Sequence, residues 1–117
     1  MANIFLIHWN KPEAEAMKAS LQSQGFNTYY EAFDGRRALK MITRHQPHAV
    51  VVCLRRQPSR GLDVVDSLKF NRKTSKIPIL FVDGNPDTVG SIQSQTDEVY
   101  FIRESELADT LKWIVMK

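Results

Sequence analysis

The sequence predicts a doubly wound α/β domain: five parallel strands in the order 2-1-3-4-5, with helices on both faces. Three observations predict it. Short apolar runs rich in β-branched and aromatic residues alternate with stretches of helical periodicity. The runs are apolar at consecutive positions, as strands covered on both faces must be. Gly, Pro, Asn and Asp fall between the runs, where the chain has to turn. Right-handed crossovers between such strands give a parallel sheet, and this winding puts the ligand edge near the switch between strands one and three.

Each element has its own signal. Asn3 to Ile7 reads as strand one. Asn10, Pro12 and Glu13 carry the spacing of a helix start, with a capping box from Asn10 to Glu13. Ala14, Met17 and Leu21 then share one helical face, and Gly25 supplies the stop. Residues 26–33 have strand composition and are closed by Asp34-Gly35. Ala38, Leu39, Ile42 and His45 repeat at helical spacing up to Pro47. Residues 49–54 form strand three, and Gly61 marks a turn. Leu62, Val65 and Leu68 make an apolar stripe, followed by the basic stretch NRKTSK. Residues 77–82 form strand four, ending in the turn cluster DGNPD. Residues 86–96 have low helix propensity, and a short or weak fourth helix is expected there. Residues 99–102 form strand five. A last helix, capped by Glu104 or Ser105, turns Leu107, Leu111, Ile114 and Val115 inward.

Composition narrows the class. The 117 residues suit a single domain spanning 1–117. Hydrophobic content of 43% and charged content of 25% are ordinary for a globular chain. Net charge is +3 and the pI about 9.2, mildly basic, without the clustering that nucleic-acid binding wants. A single cysteine forbids an internal disulfide and a zinc framework, and fits the cytoplasm. No run approaches the ~18 apolar residues of a membrane span, and the N-terminus has no signal-peptide pattern.

In the predicted winding, function is decided by the residues just past strands one, three, four and five. These are His8-Trp9, Cys53, Asp83-Gly84 and Arg103. At these positions the chain resembles the CheY-like receiver domains of two-component response regulators, which have a flavodoxin-like fold, and the resemblance runs over essentially its whole length. QPHAVVVCLRRQPSRG resembles the family's PDLVLLDLxLPxxDG, with Gly61 eight residues after Cys53 and Pro58 one place late. IPILFVDG resembles IPVIMLTA, VYFIRESELADTL resembles YLxKPFxxxxL, and YEAFDGRRAL resembles the end of strand two and start of helix two.

The resemblance implies a phosphoacceptor module whose chemistry has been lost. The family's acidic pair falls on His8 and Trp9, and its acceptor aspartate on Cys53. The Thr/Ser switch position holds Asp83, the Lys position Arg103, and the aromatic switch position Tyr100. Mg²⁺ wants oxygen ligands in near-octahedral array. Imidazole, indole and thiol do not supply them, so phosphoryl transfer loses its main charge neutralisation. An ion pair between Arg103 and Asp83, on neighbouring strands ~4.8 Å apart, is expected in place of the family's lysine contact.

Other chemistries are weaker. Cys53 with His8 could make a redox-sensing or nucleophilic thiol, but no third residue orients His8; a small buried hydrophobe is the plainer reading. His8, Cys53 and Asp83 would be a three-ligand zinc set without the usual local spacing. Arg55, Arg56 and Arg60 lie at the opposite end of helix three from Arg72, Lys73 and Lys76, so they make no single stripe for nucleic acid. Trp9 is expected to fill the space of a metal, with a partner-binding anchor as the alternative. The expectation is an atypical, non-enzymatic receiver, or pseudo-receiver, without metal or cofactor. It would act by phosphorylation-independent protein–protein contact through the face of helix four, strand five and the last helix, with Tyr100 central. That is the face by which receivers signal or form homodimers. The alternatives are a thiol sensor or enzyme at Cys53 and His8, and the receiver fragment of a DNA-binding regulator.

Overall fold

The structure, a computed structural model, describes residues 2–55, 57–84 and 99–116. Five parallel strands, β1 (Asn3–Ile7), β2 (Asn27–Glu31), β3 (Ala49–Cys53), β4 (Ile79–Val82) and β5 (Val99–Ile102), pair in the order β2-β1-β3-β4-β5. The helices are α1 (Lys11–Ser23), α2 (Gly35–His45), α3 (Pro58–Phe70) and α4 (Leu107–Val115), the last preceded by a 3₁₀ turn at Glu104–Glu106. This is the predicted winding. The helix expected over 86–96 lies outside the described residues.

Strand alternation splits the core in two. Phe5, Ile7, Val50, Val52 and Phe81 pack under α2 and α3 with Ile42, Val65 and Leu68. Ile4, Leu6, Val51, Leu80 and Val82 pack under α1 and α4 with Met17, Leu21 and Leu111. Val50, Val51, Val52, Ile79, Leu80 and Phe81 are wholly buried, which explains their unbroken apolar runs. The register pairs Ile7 with Val52 and Cys53 with Val82, so the strands end level at one edge.

Element ends differ from the sequence reading for identifiable reasons. β2 is shorter than 26–33 at both ends. Phe26 belongs to the α1 stop: its N–H and that of Gly25 (φ 95°) donate to Leu21 and Gln22, a Schellman cap. At the other end Glu31 Oε2 accepts the N–H groups of Phe33 (2.9 Å) and Asp34 (3.0 Å), turning the chain out of the sheet. β4 begins after Pro78, which has no N–H and gives only its carbonyl, to Val50 (2.9 Å).

Gly61 is not a turn. It sits inside α3, which starts at Pro58, a residue preset for a first helical position. A Cβ there would lie 2.8 Å from Val52 Cγ1, so glycine lets α3 lie close on β3. The cap of the last helix also differs. Arg103 N–H donates to Glu106 Oε1 (3.0 Å), and Glu106 N–H returns to Arg103 O (2.9 Å). Among the described residues no helix is long and apolar enough to cross a membrane.

Gly61→Ala should destabilise the domain by about 1–3 kcal/mol through overpacking against β3. Chemical denaturation checks this; an unchanged midpoint would show that α3 can lift off the sheet without cost.

Candidate functional site

The C-terminal strand edge collects His8, Trp9, Cys53, Asp83 and Arg103. Strand parity sends His8 and Trp9 to opposite faces. His8 follows Leu6 to the α1 side, is 1% exposed, and places Nε2 3.3 Å from Glu13 Oε2. Asn10 caps α1 by accepting the Glu13 N–H (3.0 Å), which fixes Glu13 in the first turn beneath His8.

Trp9 follows Ile7 into the core under α2 and α3. The Arg60 guanidinium lies 4.1 Å above its ring, a contact worth about 0.5–1 kcal/mol. Arg60 is itself held by donation to Phe33 O (2.6 Å) and Gln57 Oε1 (3.2 Å). Trp9 thus fills the interior at this edge and is covered by a cation.

Cys53 ends β3 and is 1% exposed. Burial pushes the thiol above its ordinary pKa, and the backbone N–H of Arg55 opposes this more weakly. A thiol so placed is protonated at neutral pH and is a poor nucleophile. Such burial is what the plainer reading, a small hydrophobe at the end of β3, expects.

Asp83 adopts a left-handed backbone (φ 56°) at the end of β4. The expected ion pair with Arg103 does not form. Asp83 Oδ2 instead accepts from Arg55 Nη2 (2.5 Å), and its Oδ1 from the Glu104 N–H (3.3 Å). Arg55 Nη2 also reaches Glu104 Oε2 (3.2 Å). These two carboxylates, Asp83 first, hold the guanidinium above its ordinary pKa. Arg103 lies exposed beside this cluster, its backbone spent on opening the 3₁₀ turn.

Three residues central to this geometry were not singled out as site residues by the sequence: Glu13, Arg55 and Glu104. Glu13 had been read only as a helix-cap residue, Arg55 as one of a basic loop. The available signal was positional, since Arg55 sits two residues past Cys53, within reach of the β4 and β5 ends.

No three-ligand zinc site forms from His8, Cys53 and Asp83. Among the described residues no group of three or more His, Cys, Asp or Glu side chains comes together to hold a metal. His8 lies against Glu13, and Asp83 is taken by Arg55. The donor set does not fit Mg²⁺ either. Nitrogen, indole and thiol occupy the central positions, and the carboxylates of Glu13, Asp83 and Glu104 face cationic or imidazole partners. Beside the cluster a groove of about 380 Å³ runs between α1 and α4, with His8, Glu13, Arg55 and Glu104 among its lining residues.

Solved structures share this architecture. A chemotaxis response regulator of Vibrio cholerae, CheY4, has a TM-score of 0.81 at 16% identity, covering 97% of this chain and 98% of that one. The fold is that of response-regulator receiver domains. A response regulator from Desulfuromonas acetoxidans matches at a TM-score of 0.79 and 19% identity, over 99% and 98%. The receiver domain of a sensor histidine kinase from Pseudomonas aeruginosa, with magnesium coordinated in its active site cleft, matches at 0.77 and 20%, over 97% and 98%. Over 44 residues the chain is 41% identical to an uncharacterized response regulatory protein of Staphylococcus epidermidis, found in two strains. That stretch is 38% of this chain and 18% of the curated relative's length. No family model matches the chain.

The raised thiol pKa has a stability consequence. The unfolded thiol ionises first, from about pH 8.5. The native form keeps its proton longer. The contribution is therefore fully present below that pH and is lost as pH rises through the native pKa. Denaturation midpoints measured from neutral to alkaline pH should fall more for the wild type than for Cys53→Ala. Equal slopes would place the thiol in an unperturbed setting.

Proposed function

We propose that this chain is a signalling module of the receiver fold that works by protein–protein contact and carries no acyl phosphate. One observation carries the reading. Arg55 ties together the ends of β3, β4 and β5 through Asp83 and Glu104, so both carboxylates at the edge are engaged from within. The Pseudomonas receiver is described with magnesium in its active site cleft. In this chain the positions that the family resemblance gives to the ion and the phosphoryl group hold His8, Trp9 and a buried, protonated Cys53. Arg103 and Asp83, at the two polar switch positions, are not paired to each other. In this reading Arg55 replaces the switch with a fixed link.

The partner face we propose is β5 with α4. Tyr100 meets Trp113 edge-on at 5.9 Å, and Trp113 and Met116 are 55% and 83% exposed. A half-exposed aromatic pair beside an edge strand has the composition of an interface anchor. A homodimer formed through this face is one form the contact can take.

Incubation with acetyl phosphate and Mg²⁺ should leave the intact mass unchanged. A Mg²⁺-dependent gain of one phosphoryl group would overturn the reading. Trp113→Ala should weaken the complex with a partner purified alongside the wild-type chain by at least about tenfold, with little change in Tm. Unchanged affinity would exclude this face.

A further inference from the structure

Cations occur at both ends of the strands, but at the N-terminal edge of the sheet few acids accompany them. No Asp or Glu occurs between Asp34 and Asp63, or between Asp66 and Asp83. These stretches supply the C-terminal halves of α2 and α3 and the loops that follow. Both helices run back from the C-terminal strand edge and pack side by side through Ala38, Ile42, Val65 and Leu68. Their last turns therefore emerge together at the N-terminal edge of the sheet.

The sequence had separated Arg72, Lys73 and Lys76 from the arginines at the far end of helix three, and α3 keeps them apart. It did not show that Arg44 and His48 join the first group. The chain itself links them. His48 N–H donates to Asn3 O (2.8 Å) on β1, and Val50 N–H to Pro78 O (2.9 Å), so the leads into β3 and β4 lie side by side. His48 Nδ1 accepts the Asn3 N–H (2.9 Å), which leaves its Nε2 as a donor. Arg44, His48, Arg72, Lys73 and Lys76 are all exposed. Among the described residues Arg44, Arg72, Lys73 and Lys76 have no ion-pair partner. Most of the acids that balance the molecule, such as Glu13, Glu31, Asp34, Asp83 and Glu104, follow strand ends or open helices at the other edge; Asp66, which shares a surface hollow with Phe70, is an exception.

Phe70 stands at this end with 95% of its surface exposed. The loop beside it is built rigidly. Thr74 Oγ1 donates to Leu68 O (2.6 Å), Lys73 N–H to Asn71 Oδ1 (2.9 Å), Ser75 N–H to Asn71 O (2.8 Å), and Lys69 Nζ to Ser75 O (3.0 Å). Exposed cations and one exposed aromatic ring on an ordered loop suit a partner that carries both carboxylates and an apolar side chain. A single ring offers no platform for successive bases, and a single apolar side chain gives a bilayer little to hold.

We propose that this end of the domain docks an acidic protein segment, its carboxylates meeting Arg72, Lys73, Lys76 and Arg44 while an apolar residue packs on Phe70. The surface is separate from the β5–α4 face, so it stands or falls independently of the reading above.

The test is fluorescence anisotropy of a labelled peptide of alternating glutamate and leucine, titrated with the full chain at low and high salt. Binding should weaken with salt. Arg72→Glu with Lys73→Glu should weaken it by at least about tenfold. Phe70→Ala, which removes an exposed side chain and should leave Tm unchanged, should weaken it about fivefold. Lys11→Glu with Arg36→Glu makes the same charge change in the first turns of α1 and α2 and should alter binding less than about twofold. No binding, or equal loss in both double variants, would overturn the proposal. Tighter binding to a single-stranded oligonucleotide or to phosphatidylserine vesicles would overturn the assignment to a protein.

Discussion

The level ending of five parallel strands is the constraint on which the rest depends. Register pairs Ile7 with Val52, Cys53 with Val82, and Val82 with Ile102. Whatever follows each strand is thereby brought to one edge. Parity then sends alternate residues to opposite faces, so His8 goes beneath α1 and Trp9 goes under α3. Neighbours in sequence thus serve different neighbourhoods: imidazole against Glu13 on one side, indole in the core on the other.

Arg55 decides how that edge behaves. Its contacts with Asp83 and Glu104 are partly exposed, and pairs of this kind contribute about 0.2–1 kcal/mol each. Their importance is positional. One guanidinium occupies both carboxylates that β4 and β5 bring to the edge, and Arg60 does a similar job over Trp9. Two arginines from the segment following β3 therefore take up the groups on either side of this edge.

Much of the fold was legible because burial on two faces leaves unbroken apolar runs, and β3 and β4 have them. The helix start at Asn10 and the stop at Gly25 were legible because caps depend on local residues. Gly61 was misread because a glycine in a turn and a glycine required for close packing look alike in sequence. Only the 2.8 Å approach to Val52 separates them. The Asp83–Arg103 pair failed for a related reason. Strand spacing brings two residues near each other, but the left-handed backbone at Asp83 and the competing reach of Arg55 are three-dimensional facts. The proposed basic end was hidden because Arg44 and Lys76 are distant in sequence, and only the packing of α2 and α3 brings both helix ends to one edge of the sheet.

The central claim is that the strand-end cluster is closed from within and does not respond to a phosphoryl group. Amide NMR spectra recorded with and without Mg²⁺ and beryllofluoride, a non-covalent mimic of a phosphoryl group, test it most directly. The account predicts no shifts at His8, Cys53, Arg55, Asp83 or Glu104. Saturable, Mg²⁺-dependent shifts centred on these residues would contradict it.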